Sequence, residues 1–313
     1  MTLVQTRNQG TPCVVIRSIS QARNSEPSVA VLNVMLEYDS GPGYKVRADI
    51  SGPWGGSDTL KFRTSFSVFN TKRYLENTGL HEKADPFRDI SARTNFQWKP
   101  NAACSADLRV SLSHVTTQAV YYGVTDDVNT MVPIRVNNPG IDRRDLYYAS
   151  LKFDYNTTFV QFTSVTAYDS VREFLDDNQF NFLPITESAL YQFYGHDQSQ
   201  ARFLKNESCS QELRFTSPTE DRLRWIAGVY CIYADRFLST GNVFDYGTRI
   251  PEVTYSPLPL YNPQTAYLAD KQHNYAYAGF ADLSYEFTEQ LQATLAAHYD
   301  NDKRKDITKT PTL

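Results

Sequence analysis

Leu60-Lys61-Phe62-Arg63-Thr64-Ser65-Phe66-Ser67-Val68-Phe69 is the stretch on which the fold turns. Leu60, Phe62, Phe66 and Val68 share one side with Thr64, while Lys61, Arg63, Ser65 and Ser67 share the other. A period of two belongs to a β-strand, whose successive side chains point to opposite faces. The rhythm recurs outward from this stretch. Ile90, Ala92, Phe96 and Trp98 oppose Asp89, Ser91, Arg93, Asn95 and Gln97. Leu108, Val110 and Leu112 oppose Asp107, Arg109 and Ser111. Tyr147, Ala149, Leu151 and Phe153 alternate with Tyr148, Ser150, Lys152 and Asp154. Leu223 to Tyr233 and Leu291 to Tyr299 alternate in the same way. Weaker strands are expected over 34–38, 44–51, 159–168, 209–216 and 275–287.

The connections alternate too. Gly52–Asp58, Lys99–Asn101, Asp154–Thr157, Ser217–Asp221 and Thr288-Glu289 are short and rich in turn formers. Thr71–Phe87, Tyr122–Asp145, Glu173–Ser208 and Asp235–His273 are long and polar. Asp39–Gly43 is the one exception, being short where a long link is due. Strands of about ten residues, short turns at one end and long loops at the other are the pattern of a bacterial outer-membrane β-barrel. In lipid every backbone polar group must be paired internally, and a closed antiparallel sheet achieves this. One face of each strand meets lipid and the other takes the charges. A soluble sandwich or propeller also alternates, but no blade repeat is found and four long loops are unusual in a sandwich.

Composition agrees with this reading. The chain has 313 residues, a net charge of -4, 13% aromatic residues, 21 Tyr and 18 Phe. Its mean hydropathy is -0.48. So many aromatics with so little net charge exclude disorder. No window approaches the apolar length of a membrane helix. The 31 Lys and Arg are outweighed by 35 Asp and Glu, which argues against a general nucleic-acid binder. Cys13, Cys104, Cys209 and Cys231 form no close motif and are read as free. Tyrosines near strand ends, among them Tyr121, Tyr122, Tyr147, Tyr168, Tyr233, Tyr275 and Tyr299, suit an interfacial girdle, although tyrosine also favours strands generally. Met1–Arg7 shows no secretory signal.

The segment Ser210-Gln211-Glu212-Leu213-Arg214-Phe215-Thr216-Ser217, followed by Leu223-Arg224-Trp225-Ile226-Ala227-Gly228-Val229-Tyr230, resembles a barrel hairpin of the TonB-dependent outer-membrane receptors. Tyr38–Gly41, Ser51–Pro53 with Leu60–Arg63, Lys83–Asp89 and Ser105–Arg109 resemble other pieces of that barrel. Val14–Arg23 and Ser28–Leu32 resemble parts of the family's N-terminal plug domain, with Ser18 where the family has Gly. The resemblance implies an all-β fold of antiparallel transmembrane β-barrel strands, about half of a 22-stranded barrel, with a small plug-domain remnant. Residues 1–32 would be the plug remnant, 33–302 about eleven barrel strands, and 303–313 an unstructured tail. The later plug and the TonB box are not found, so the chain reads as a truncated, internally deleted receptor.

What the resemblance implies for function is uptake of iron chelates or similar scarce nutrients. Its partners would be a ferric siderophore or similar extracellular ligand, the TonB complex and outer-membrane lipid. A chain of this kind alone is expected not to transport. The alternative is a soluble β-rich module binding a ligand or carbohydrate; a β hydrolase is a third, weaker reading. No catalytic residue, cofactor or metal is assigned. His81, His114, His196, His273 and His298 lack metal-ligand spacing, and Asp126-Asp127 and Asp176-Asp177 lack calcium-loop spacing. His81, His196 and His273 fall in expected long loops, where the family binds ligand. Arg63, Arg93, Arg109, Arg214 and Arg224 are expected on the lumen side, pairing with carboxylates or lining the channel. Ligand-binding residues are otherwise left unassigned.

Overall fold

The computed structural model describes residues 2–8, 11–20, 30–39, 43–72, 75–118, 133–178, 183–218, 221–247 and 265–309. The chain opens with β1 (Thr2–Asn8), β2 (Thr11–Ser20), β3 (Val31–Asp39), β4 (Gly43–Pro53) and β5 (Leu60–Thr71). Two short strands, β6 (Glu76–Asn77) and β7 (Glu82–Lys83), make a small separate hairpin. Next come β8 (Phe87–Trp98), β9 (Cys104–Thr117), β10 (Ile141–Asn156) and β11 (Gln161–Asn178). One helix, α1 (Ala189–Tyr194), precedes β12 (Asp197–Thr216), β13 (Leu223–Asp245), β14 (Thr265–Thr288) and β15 (Leu291–Thr308). Apart from β6 and β7, the strands form one 13-stranded antiparallel sheet in strict chain order, with β1 and β15 at its edges. Among the described residues the strands of this sheet pack against their sheet neighbours, with short helical turns laid against β5 and β12. The two packed layers of a soluble sandwich are therefore not formed. Among the described residues no helix is long and apolar enough to cross a membrane.

Residues 2–20, expected to belong to the plug remnant, supply two strands: β1 pairs with β2, and β2 with β3. From β3 onward the sheet counts eleven strands, as the alternation predicts. Three expectations are corrected. The tail expected from 303 stays in β15 as far as Thr308, because Lys303–Thr308 keeps its ladder with Asp270–Tyr275 of β14. The long loop expected over Glu173–Ser208 shrinks, since β11 runs through Asn178 and β12 begins at Asp197. The loop expected over Asp235–His273 shrinks likewise, with β13 reaching Asp245 and β14 starting at Thr265. In each case the strand leaves the zone where one face is apolar. Apolar residues no longer keep to one side, as Phe174, Ala201, Phe237, Leu238 and Val243 show, so the period-two signal fades while the hydrogen-bonded ladder continues.

Register sorts the side chains onto two faces. One face carries Leu32, Val34, Leu36 and Tyr38 of β3 beside Ile50, Ala48, Val46 and Tyr44 of β4. On the same face β13 carries Leu223, Trp225, Ala227, Val229, Cys231 and Tyr233 beside Tyr285, Leu283, Ala281, Gly279, Tyr277 and Tyr275 of β14. These side chains lie bare: Leu36 is 43% exposed, Leu151 45% and Leu295 72%. From β3 to β15 no Asp, Glu, Lys or Arg occupies this band. Several of its polar groups satisfy one another, although Asn301 Oδ1, beside Tyr277, finds no hydrogen-bond partner among the described residues. Thr64 and Thr94 share a 3.2 Å hydroxyl bond, and Gln211 donates to Ser164 Oγ at 2.9 Å while accepting from Thr166 at 2.5 Å. An unpaired polar group would be costly in lipid.

The band has sharp limits. Toward the long connections it ends at Tyr147, Tyr168, Tyr233 and Tyr275. One step beyond lie Asp145, Ser170, Asp235 and His273, followed by Arg143, Arg172 and Lys271. Leu223 to Tyr233 spans ten steps of about 3.3 Å, roughly 33 Å along the strand. A barrel tilt of about 40° lowers that to about 25 Å, the height of an outer-membrane apolar band.

The opposite face is polar and open. Arg47 grips Asp49 through two bonds of 2.9 and 3.1 Å, and Ser65 donates to the same carboxylate at 2.5 Å. Ser67 and Ser91 bond at 2.8 Å, Ser113 donates to Asp89 at 2.6 Å, and Thr163 donates to Asp154 at 2.8 Å. Among the described residues no domain covers this face.

Candidate functional site

Beyond the tyrosine row the strand ends and their connections fold into a cap. Asn77 begins it. Its side-chain oxygen accepts from Gly79 N at 3.0 Å, which bends the chain after β6, and its amide donates to Val136 O at 2.9 Å. Thr78 N donates to Ile134 O at 2.8 Å, so residues 133–140 run beside this hairpin. Ala84, Ile134 and Val136 close a small apolar core between the two segments.

The same segment reaches across to the far side of the cap. Asn137 donates its amide to both oxygens of Asp245 at 3.0 and 2.9 Å, and its oxygen accepts from Ile185 N at 2.9 Å. Asp245 is wholly buried and also accepts from Gly247 N at 2.9 Å. Arg135 forms a bidentate pair with Glu187 at 2.8 and 3.1 Å. Helix α1 is fixed at its start by Ser188, which accepts from Tyr191 N. Gly195 ends it with φ of 72°, a left-handed turn that glycine adopts without strain.

An ion network anchors the cap to the polar face. Arg144 pairs with the carboxylate of Asp142 and reaches Glu173 at 3.1 Å, while Arg202 reaches Glu173 at 3.0 Å. These residues join β10, β11 and β12. Burial pushes the Asp142 carboxyl above its ordinary value, against the pull of Arg144. The Asp142 bond holds the Arg144 guanidinium above its own.

Aromatic rings crown the cap. His196 packs against Phe244 at 4.9 Å, Tyr246 at 5.8 Å and Tyr194 at 6.3 Å, and Tyr194 touches Phe193 at 5.1 Å. Phe193 is 82% exposed, Tyr194 65% and Tyr246 60%. Tyr191 OH donates to Tyr246 O at 3.2 Å and holds the platform to α1. Flat rings facing water beside fixed charges can stack planar groups and bind charged ones.

The expected residues distribute unevenly. His196 joins the platform. His81 sits in the turn between β6 and β7 with φ of 55°. His273 is not in a loop but within β14, where Nδ1 lies 3.1 Å from Tyr233 OH. His114 Nδ1 meets Asp145 at 2.6 Å, and His298 Nε2 lies 3.6 Å from Asp300. Among the described residues no three metal-ligating side chains gather. Arg63 lies 3.9 Å from Asp49, Arg109 2.7 Å from Asp107 and Arg214 3.6 Å from Glu212. Arg224 donates to Gln292 at 2.7 Å, and Arg93 lines a hollow of about 300 Å³ with Lys45 and Ser111. Cys104, Cys209 and Cys231 are free. The side chains of Cys13 and Asp177, and all of Tyr121, Tyr122, Asp126 and Asp127, lie outside the described residues. Sequence reading missed Asn77, Asn137, Asp245 and the Arg144–Glu173–Arg202 network. Asn137 and Asp245 are 108 residues apart, and no local spacing joins them.

No family model and no curated protein matches the sequence. Solved structures do. The ferric preacinetobactin receptor BauA of Acinetobacter baumannii superposes with a TM-score of 0.58 at 12% identity, over 90% of this chain and 42% of that one. The ferripyoverdine receptor of the Pseudomonas aeruginosa outer membrane superposes with a TM-score of 0.63 at 10% identity, over 88% and 38%. The siderophore receptor PiuA of Acinetobacter baumannii gives 0.50 at 10% identity, over 88% and 46%. The fold is that of the TonB-dependent outer-membrane receptors. The chain spans less than half the length of these solved receptors. In a barrel of that fold an apolar band faces outward and the interior is polar.

Proposed function

We propose that this chain is part of the wall of an outer-membrane receptor for an iron chelate or a similar scarce nutrient, with the aromatic cap as its capture surface. The uncharged band of about barrel height, bounded by tyrosines and then by charges, carries the reading. Receptors of ferric preacinetobactin and ferripyoverdine having the same fold support the ligand class. Coupling to TonB belongs to the same reading, since opening a receptor lumen needs a plug moved from the periplasm. Among the described residues the polar face is open and β1 and β15 are sheet edges, which supports the reading that these strands do not transport by themselves.

Tyrosine and tryptophan fluorescence of the detergent-solubilised chain tests this, using ferric citrate, a ferric hydroxamate and a ferric catecholate as probes. Saturable quenching by one of them, lost in the Tyr194→Ala/Tyr246→Ala double variant, is the expected result. Quenching by none, or equal quenching in the variant, overturns the capture role of the cap.

A further inference from the structure

The chain carries a net charge of -4, yet the outer face of β14 and β15 is basic at and just beyond the tyrosine row. Register places Lys303 beside Tyr275, Lys305 beside His273 and Ile307 beside Lys271, all on the outward face. Asp235 of β13 is the single carboxylate among them, 3.0 Å from Lys271 and 3.8 Å from His273. Lys303 and Lys305 are exposed and make no ion pair or hydrogen bond among the described residues. The lumen-side neighbours Arg304 and Asp302 pair with each other at 3.1 Å and leave this patch alone.

Below the patch, on the same face, the wall is unusually thin. Ala227, Gly279, Ala281 and Ala297 floor a groove of about 460 Å³, with Phe215 and Tyr299 at its rims. A Cβ added to Gly279 would meet nothing within 4 Å. The groove's lining on this face is apolar and lies inside the charge-free band. From Ala297 to Lys303 is six steps, roughly 20 Å along the strand, a distance an extended acyl chain covers.

We propose that the outer face of β14–β15 binds a phosphorylated lipid of the outer leaflet. Lys271, Lys303 and Lys305 hold its anionic headgroup, and the Ala227–Gly279–Ala281–Ala297 groove takes an acyl chain. Charge complementarity selects this occupant. A zwitterionic lipid would satisfy the groove but not three ammonium groups, and a second copy of the chain would bring the same basic patch against itself. Attraction of an anionic headgroup is worth roughly a fivefold gain in binding per lysine near the surface. The inference rests on the reading of this face as lipid-facing.

The test uses the full chain in detergent micelles, with Tyr299→Trp as a reporter in the groove. Phospholipids brominated on the acyl chain are added with either a phosphoanionic or a zwitterionic headgroup and identical chains. The anionic lipid is expected to quench the reporter at several-fold lower mole fraction, and Lys303→Ala/Lys305→Ala to erase that preference, as does high salt. Equal quenching by both lipids overturns the headgroup site while the lipid-facing reading stands. Quenching by neither overturns both. Unchanged circular dichroism of the double variant shows that its fold is intact.

Discussion

Single side chains settle the cap. Asp245 is buried with neutral donors: the Asn137 amide, the Gly247 N–H and, at 3.4 Å, the Ser199 hydroxyl. Asp245→Ala removes the acceptor of all three, at a cost of about 1–3 kcal/mol. Limited proteolysis should then cut the cap several-fold faster, with strand content by circular dichroism unchanged. Uniform loss of strand signal would show instead that the cap supports the sheet. Two carboxylates beyond the tyrosine row should titrate in opposite directions. Glu207 bonds to Lys205 at 2.7 Å and lies 3.6 Å from Arg172, and these cations hold its carboxyl below the usual value. Its stabilising effect is therefore full above the unfolded value of about 4.5 and is lost as pH falls through the lower folded value. Asp142 has the opposite sign: burial raises its folded value, so whatever it adds to stability grows as pH falls and is lost as pH rises through that value. Carbon-detected titration of the two carboxyls should place Glu207 below and Asp142 above their ordinary midpoints, and Lys205→Met should move Glu207 upward. None of these partnerships was legible in the sequence. Asn137 and Asp245, or Arg144 and Glu173, meet only because register and a crossing loop bring them together.

At the scale of the strand, most of the fold was legible, and for one physical reason. Lipid on one side and water on the other impose a two-residue period, so Leu223–Tyr233 announces itself. Where both sides are water, as in Asp235–Asp245 or Lys303–Thr308, the period vanishes and the strand ends were placed too early. The two faces should respond oppositely to charge. Leu151→Arg puts a cation in the middle of the outer band and should cost about 2–4 kcal/mol of membrane-inserted stability. Ser150→Arg, one residue along and facing the lumen, should cost much less. Denaturant unfolding in lipid vesicles, by tryptophan emission, compares them; equal costs would refute the assignment of faces. Gly228 tests the lumen side independently. A Cβ there would lie 2.4 Å from Phe280 Cζ and 2.8 Å from Leu213 O, so the aromatic ring lies directly on bare backbone. Gly228→Val should therefore loosen the β12–β13–β14 seam, seen as faster hydrogen exchange confined to those strands.

For the whole molecule the decisive fact is the pair of edges. Thirteen strands follow one another without a crossover, yet among the described residues β1 and β15 do not pair, and each edge leaves a row of backbone groups without strand partners there. Water can satisfy such groups; hydrocarbon cannot, at several kcal/mol for each. On the proposed reading of the outer band as a lipid-facing wall, an open sheet and a lipid-facing belt are compatible only if other strands close the ring. That reading agrees with the comparison by length, since the chain spans less than half of the solved receptors it superposes on. Purified alone, the chain should therefore fold in detergent, where the edges stay wet, but should fail to give stable single-channel conductance in planar bilayers. Adding strands that pair with β15 and β1 should restore insertion. A steady pore from the monomeric chain would mean that β1 and β15 find each other in lipid, and that the sheet closes as a smaller barrel than its relatives.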